Sequence, residues 1–209
     1  MPEPTTVDLR PTLGPIRDQG RRPTCLVFAA SSTHEHARGQ TIPLSPEALF
    51  RASKKRDGLL EKVGTTVSAM LAAVEADGQC EETAWPYGDA TALDPNAAYF
   101  RARADSTRRG DLVASCRLAV VGGRPALLVL RITDSWFGVA KTGRIPSPKS
   151  TDRLQGTHAV VAVGYDDDEQ RLIIRNSWGV GWGDAGHAWL PYDYVDLHGV
   201  QAITLVSLP

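Results

Sequence analysis

Cysteine is scarce in this sequence: its 209 residues hold three, Cys25, Cys80 and Cys116. Three scattered thiols exclude a disulfide framework and a zinc site of the C-x-x-C type. With Cys25 set aside as a free thiol, only Cys80 and Cys116 could pair, and two buried thiols are the expectation. Long apolar runs are missing as well, none approaching the roughly 18 residues of a membrane-spanning helix. The first residues, Met1-Pro2-Glu3-Pro4-Thr5-Thr6, hold neither a basic n-region nor an apolar h-region. The chain as it stands therefore reads as cytoplasmic. An excess of one charge is absent too, since 23 Lys and Arg stand against 24 Asp and Glu for a formal net charge of -1. That balance calls for neither nucleic acid nor a membrane surface as partner.

What is present suffices for a sizeable core: 42% of the residues are hydrophobic, and the length fits one large domain or two small lobes. The first half reads helical. Thr24 is placed to cap a helix from Cys25 to Arg38, in which Leu26, Ala29, Ala30 and Thr33 recur at helical spacing. Leu44-Ser45-Pro46-Glu47 starts a second, with Ser45 as cap, Pro46 at the first helical position and Glu47 at the positive end of the dipole. A third is expected over Thr66 to Asp77, ended by Gly78 in the left-handed conformation. From about Asp111 the sequence turns to short β-rich runs, Leu127 to Ile132, Ala159 to Tyr165, Leu172 to Arg175, His187 to Pro191 and Ala202 to Val206. Helices followed by strands indicate an α+β fold with two lobes, a helical one over about residues 11–110 and a β-rich one over 111–209. Asp166-Asp167-Asp168-Glu169 lies between two strand-like runs without calcium-loop spacing and reads as a hairpin turn.

A cysteine attacks only as thiolate, and a helix N-terminus with an imidazolium beside it lowers the thiol pKa. Cys25 sits in the first turn of its expected helix. Alone it would more often be a buried structural thiol. Its company changes that reading: Asp18-Gln19-Gly20 lies just upstream, and Gly156-Thr157-His158-Ala159-Val160 and Arg175-Asn176-Ser177-Trp178-Gly179 lie far downstream. The order Gln, Cys, His, Asn, with Gly181-Trp182-Gly183 following, resembles the papain-like cysteine peptidase family. Leu44-Ser45-Pro46-Glu47, Trp85-Pro86-Tyr87 and Gly164-Tyr165 extend the resemblance over nearly the whole chain.

The resemblance implies a papain-like two-lobed fold, with a helical N-terminal lobe, a β-barrel-like C-terminal lobe and the active site in the cleft between them. It implies Cys25 as nucleophile, His158 as base and acid, Asn176 as the group orienting His158, and Trp178 as a shield over that hydrogen bond. Gln19, with the backbone N–H of Cys25, would form the oxyanion hole. Gly64, Thr65, Val67, Gly156 and Trp178 are the candidates for binding substrate, with Ala126 as a further wall. No cofactor and no metal are implied; His34 and His36 read as surface or interlobe residues, and His187 and His198 lack partners at metal spacing.

Two departures from the family stand out. Arg22-Pro23-Thr24-Cys25-Leu26 replaces the Cys-Gly-Ser-Cys-Trp signature, losing the upstream disulfide cysteine, and Gly64-Thr65 stands where a Gly-Gly pair is usual. Val7-Asp8-Leu9-Arg10 resembles the start of a mature enzyme, as in short prokaryotic members without a prosegment. Control is then expected from a regulatory protein partner or a fused domain. The expected activity is hydrolysis of a peptide or protein substrate through a thioester acyl-enzyme. Acyl transfer by a maturation enzyme (transpeptidase) and a catalytically silent peptide-binding module are the alternatives.

Overall fold

The computed structural model describes residues 3–89, 91, 93–139 and 142–209, apart from the side chains of Glu61 and of 106–108. Seven strands form one antiparallel sheet: β1 (Thr6–Asp8), β2 (Ala102–Arg108), β3 (Ala126–Thr133), β4 (Leu154–Asp166), β5 (Arg171–Arg175), β6 (His187–Pro191) and β7 (Gly199–Ser207). Their order is β2-β7-β3-β4-β5-β6, with β1 paired to β4. Five helices accompany them: α1 (Cys25–Ala37), α2 (Pro46–Asp57), α3 (Val67–Ala76), α4 (Leu112–Val121) and α5 (Tyr192–His198).

The central strands β3 and β4 read as unbroken apolar runs because both faces of the sheet are covered. Successive side chains alternate between two cores. Leu127, Val129, Val161, Val163 and Ile173 face α1, α2 and α3, whereas Leu128, Leu130, Val160, Ala162 and Ile174 face α4 and α5. Helix α1 is buried on every side from Leu26 to Glu35. Its small residues allow that enclosure, and two of its buried hydroxyls are satisfied within the helix, Ser31 Oγ donating to Val27 O and Thr33 Oγ1 to Ala29 O, each at 2.7 Å.

The expected strands all form, and α2 starts with Ser45 Oγ accepting from Ala48 N at 3.1 Å and Pro46 in the first helical position. Gly78 adopts φ 75° after α3, and a Cβ there would run into Phe100 O. Cys80 and Cys116 are both buried free thiols. The 166–169 segment is the turn between β4 and β5, though Asp167 is engaged by Arg117 and Tyr192.

Several features differ from the sequence reading. Thr24 occupies the cap position of α1, but its hydroxyl bonds the Tyr87 hydroxyl at 2.7 Å and caps nothing. Helix α4 lies where only strands were expected, although Leu112, Cys116, Ala119 and Val120 are buried at helical spacing and Asp111 caps it through Ala114 N. Strand β2 is an edge strand of polar sequence, ARADSTR, paired with β7 inside the stretch expected to be helical. His34 is fully buried rather than superficial, its Nδ1 3.1 Å from Gln79 Oε1. The Gln79 amide is itself fixed by Ser31 Oγ and Ser45 O, so His34 is a core histidine anchored through Nδ1.

Candidate active site

Cys25 is the first residue of α1, half-buried, with its own backbone N–H and that of Leu26 unclaimed by the helix and close to the sulfur. Burial pushes its thiol above the ordinary 9.0, against the pull of backbone donors at Ala159, Leu26 and Cys25. His158 comes from β4, opposite Leu130 of β3, where the strand passes from exposed to buried. Asn176 directly follows β5, the strand paired to β4 on its other side. Sheet pairing therefore brings together two residues that lie 18 positions apart in sequence.

His158 Nε2 lies 2.8 Å from Asn176 Oδ1, and Ser177 N donates to that same oxygen at 2.8 Å. A backbone N–H can only donate, so the amide oxygen is what faces the ring, and Nε2 carries the imidazole proton. Nδ1 then keeps its lone pair. Burial pushes His158 down to about 4, against the opposing effect of its bond to Asn176. The ring is boxed by indoles, with the Trp178 centroid at 4.7 Å and the Trp136 centroid at 6.0 Å. Phe137 stacks on Trp178 at 5.6 Å, and Trp182 donates its Nε1–H to Trp136 O at 3.2 Å.

Cys25 and His158 line one cleft of about 190 Å³ together with Pro23, Leu26, Val63, Gly64, Thr65, Val67, Val129, Thr157 and Ala159. Of the expected substrate-binding residues, Gly64, Thr65 and Val67 are in this wall. Gly64 is held against the segment before Cys25: at φ 77°, a Cβ there would lie 2.8 Å from Pro23 O. Thr65 is tied to α2, its Oγ1 donating to Asp57 Oδ2 at 2.5 Å. Gly156 is not in the wall; it pairs with Ile132 two residues before His158. Trp178 also stays out of the wall and packs on the imidazole instead. Ala126 is buried opposite Ala162 in the core against α4 and α5. The alternation of β3 explains this, because Val129, of opposite parity to Ala126, is the β3 residue turned to the cleft.

Gln19 is held by the loop that carries Asn176. Gln19 N donates to Ser177 O at 2.9 Å and Gly179 N to Arg17 O at 3.1 Å, with a β-bridge between Asp18 and Trp178. Ser177 Oγ donates to Gln19 Oε1 at 2.7 Å, which fixes the amide so that Nε2 points to Arg22 O at 2.8 Å. An amide NH2 has two protons, and this bond uses one of them; Gln19 is buried and is not among the residues lining the cleft. Sequence reading missed Trp136 and Val129; Trp136 sits in a polar-flanked Asp-Ser-Trp-Phe-Gly turn, which carries no periodic signal. Among the described residues no cluster of three His, Cys, Asp or Glu could hold a metal, and no helix is long and apolar enough to cross a membrane.

The model of the papain family of cysteine proteases matches residues 3–203. A peptidase C1-like protein of Acanthamoeba polyphaga mimivirus is 26% identical over 200 residues, covering 85% of this chain and 64% of its own length. A cathepsin L-like peptidase of Aedes aegypti is 28% identical over 198 residues, covering 88% of this chain and 58% of its own. The chain thus spans less than two thirds of those relatives. Xylellain, a cysteine protease from Xylella fastidiosa, superposes with a TM-score of 0.79 at 27% identity over 97% of this chain and 87% of its own. With α+β architecture, site geometry and family match in agreement, this chain belongs to the papain family of cysteine proteases.

Proposed function

We propose that this protein hydrolyses peptide bonds through a thioester acyl-enzyme formed on Cys25. The observation that carries the reading is the 2.8 Å bond from His158 Nε2 to Asn176 Oδ1, which leaves Nδ1 basic in the cleft that holds Cys25. Nδ1 takes the thiol proton as Sγ attacks the substrate carbonyl carbon. The oxygen that becomes negative accepts from the Cys25 backbone N–H and the remaining Gln19 Nε2 proton. The intermediate collapses with cleavage of the C–N bond, and imidazolium His158 protonates the departing amine. Water, deprotonated by His158, then hydrolyses the thioester and frees the carboxylate product. Val63, Val67, Val129, Ala159 and Leu26 give the cleft an apolar wall, which suits an aliphatic side chain near the scissile bond.

Labelling tests the thiolate. Iodoacetamide at neutral pH is expected to modify Cys25 at least about tenfold faster than Cys80 or Cys116, both of which are buried. Equal rates at the three thiols, read by peptide mass spectrometry, would remove the nucleophile from this scheme.

The pH profile tests the shielding of His158. The imidazole accepts the thiol proton only when neutral, so kcat/KM should fall as pH drops through about 4, the value to which burial pushes it. Trp178 supplies part of that burial at 4.7 Å. Trp178→Ala admits water, relieves the desolvation that disfavours imidazolium, and should move the acid limb upward toward the ordinary 6.5. A limb that stays in place or moves down would show that Trp178 does not shield the ring.

A further inference from the structure

Between Gln19 and Cys25 the chain carries Arg22, whose side chain turns onto α2. Its guanidinium grips Glu47 with Nη1 donating to Oε2 at 2.5 Å and Nη2 to Oε1 at 3.2 Å. It also lies 5.2 Å from the Phe50 ring centroid and 4.8 Å from that of Tyr87. Glu47 is fully buried and further fixed by Arg51 Nε at 2.8 Å and Gly88 N at 3.1 Å. A buried carboxylate bonded in this way is a rigid anchor, because moving it would break charge-assisted bonds where water cannot replace them.

The carbonyl of the same residue accepts from Gln19 Nε2 at 2.8 Å and from Thr24 N at 2.8 Å. The Tyr87 hydroxyl, beneath the guanidinium, donates to Gln19 O at 2.8 Å and bonds Thr24 Oγ1 at 2.7 Å. One side of Arg22 is thus bolted to the helical lobe, and the other carries the acceptor that aims the Gln19 amide.

We propose that Arg22 is a positioning residue for the oxyanion hole: clamped by Glu47 between Phe50 and Tyr87, it holds the carbonyl that orients Gln19. The inference rests on the assignment of Gln19 as oxyanion donor made above. A donor displaced by about 1 Å loses much of its effect on the transition state and little on substrate binding. Ser177 Oγ still tethers Gln19 Oε1, so loss of the Arg22 anchor should cost less than loss of Gln19 itself.

The test is a cycle of Arg22→Ala, Gln19→Ala and the double variant in the intact chain. It is read with a fluorogenic peptide amide, a peptide aldehyde whose adduct oxygen occupies the oxyanion position, and iodoacetamide. Arg22→Ala is expected to lower kcat about tenfold with KM unchanged, to weaken the aldehyde by a similar factor, and to leave the alkylation rate of Cys25 as it was. Gln19→Ala should cost about 10²-fold or more, and adding Arg22→Ala to it should cost nothing further. Arg22→Lys should not restore the activity, because an ammonium lacks the planar fork and the stacking face. Glu47→Gln takes the place of Arg22→Ala in the cycle if the latter fails to melt cooperatively. A loss that persists undiminished in the Gln19→Ala background, an unchanged aldehyde affinity, or a parallel fall in alkylation would each overturn the role of Arg22 alone. Full activity of Gln19→Ala would overturn the oxyanion assignment and this inference with it.

Discussion

His158→Ala should lower kcat/KM for a peptide substrate by about 10⁵-fold and reduce alkylation of Cys25 to the rate of an ordinary thiol. The size follows from two separate losses. Burial pushes the Cys25 thiol up from 9.0 and His158 down to about 4, so neither group ionises readily by itself. Moving the proton from sulfur to Nδ1 against that order costs upward of about 7 kcal/mol. At a contact distance of about 3.5 Å and an effective dielectric near 20, the resulting charges attract by about 5 kcal/mol. The N-terminus of α1 adds up to about 2 kcal/mol. Cost and gain nearly cancel, which keeps the thiolate accessible. Without His158 the proton must go to solvent, and a thiol held above 9.0 is thiolate at neutral pH at a level of about one in a hundred or less, some two powers of ten below the wild type. The leaving amine also loses its proton donor, worth another factor of about 10²–10⁴. Because an alkylating agent needs only the thiolate, the two losses separate: alkylation should fall by the first factor and turnover by both. Alkylation unchanged from wild type would mean that His158 does not govern the ionisation of Cys25.

The ordered set of Gln19, Cys25, His158 and Asn176 was legible through its resemblance to a family, since each motif is weak alone and the four in order are specific. Ser177, in the Asn-Ser-Trp-Gly run, donates to both Asn176 Oδ1 and Gln19 Oε1, one bond from its backbone and one from its hydroxyl. The strands were legible where apolar runs were bounded by turns. Helix α4 was passed over although Leu112, Cys116, Ala119 and Val120 keep the helical period, because the β-rich runs that follow it set the expectation for that whole half of the chain. Strand β2 was not legible, because its sequence is polar and its place comes from β7 across the sheet. The cleft wall was the least readable part. Val63 and Val129 enter it from a short 3-10 helix and from β3, 66 positions apart, and no local pattern in the sequence joins them. Arg22 likewise looked like a lost disulfide position. Its role depends on Glu47, Phe50 and Tyr87, which no local pattern joins to it.

Asn176→Ala should lower kcat/KM by about 10³-fold while leaving the fold intact, and the reason is the tautomer. Asn176 Oδ1 accepts from Nε2 of His158 and from Ser177 N, both at 2.8 Å, and this is what keeps the imidazole proton on the far side of the ring from the cleft. With alanine the ring can rotate and take the other tautomer, presenting an N–H to sulfur that already carries a proton. A base in the wrong tautomer with its geometry otherwise intact costs about 10⁴-fold in serine proteases. A somewhat smaller loss is expected here, because Trp178 and Trp136 still hold the ring plane at 4.7 and 6.0 Å. Stability should fall as well, by about 1–3 kcal/mol for each buried donor left without an acceptor, Ser177 N and His158 Nε2, whereas nothing is lost at Asn176 Nδ2, which has no protein partner among the described residues. That nitrogen lines, with Ser32, Arg17 and Arg175, an interior cavity of about 20 Å³, enough for one water. Asn176→Asp separates orientation from mere packing. Its carboxylate accepts the same two bonds, so it should recover much of the activity, and its charge favours imidazolium, so the acid limb of kcat/KM should rise above the wild-type value of about 4. If alanine and aspartate were equally impaired and their acid limbs coincided, Asn176 would be filling space beside His158 and not setting its tautomer.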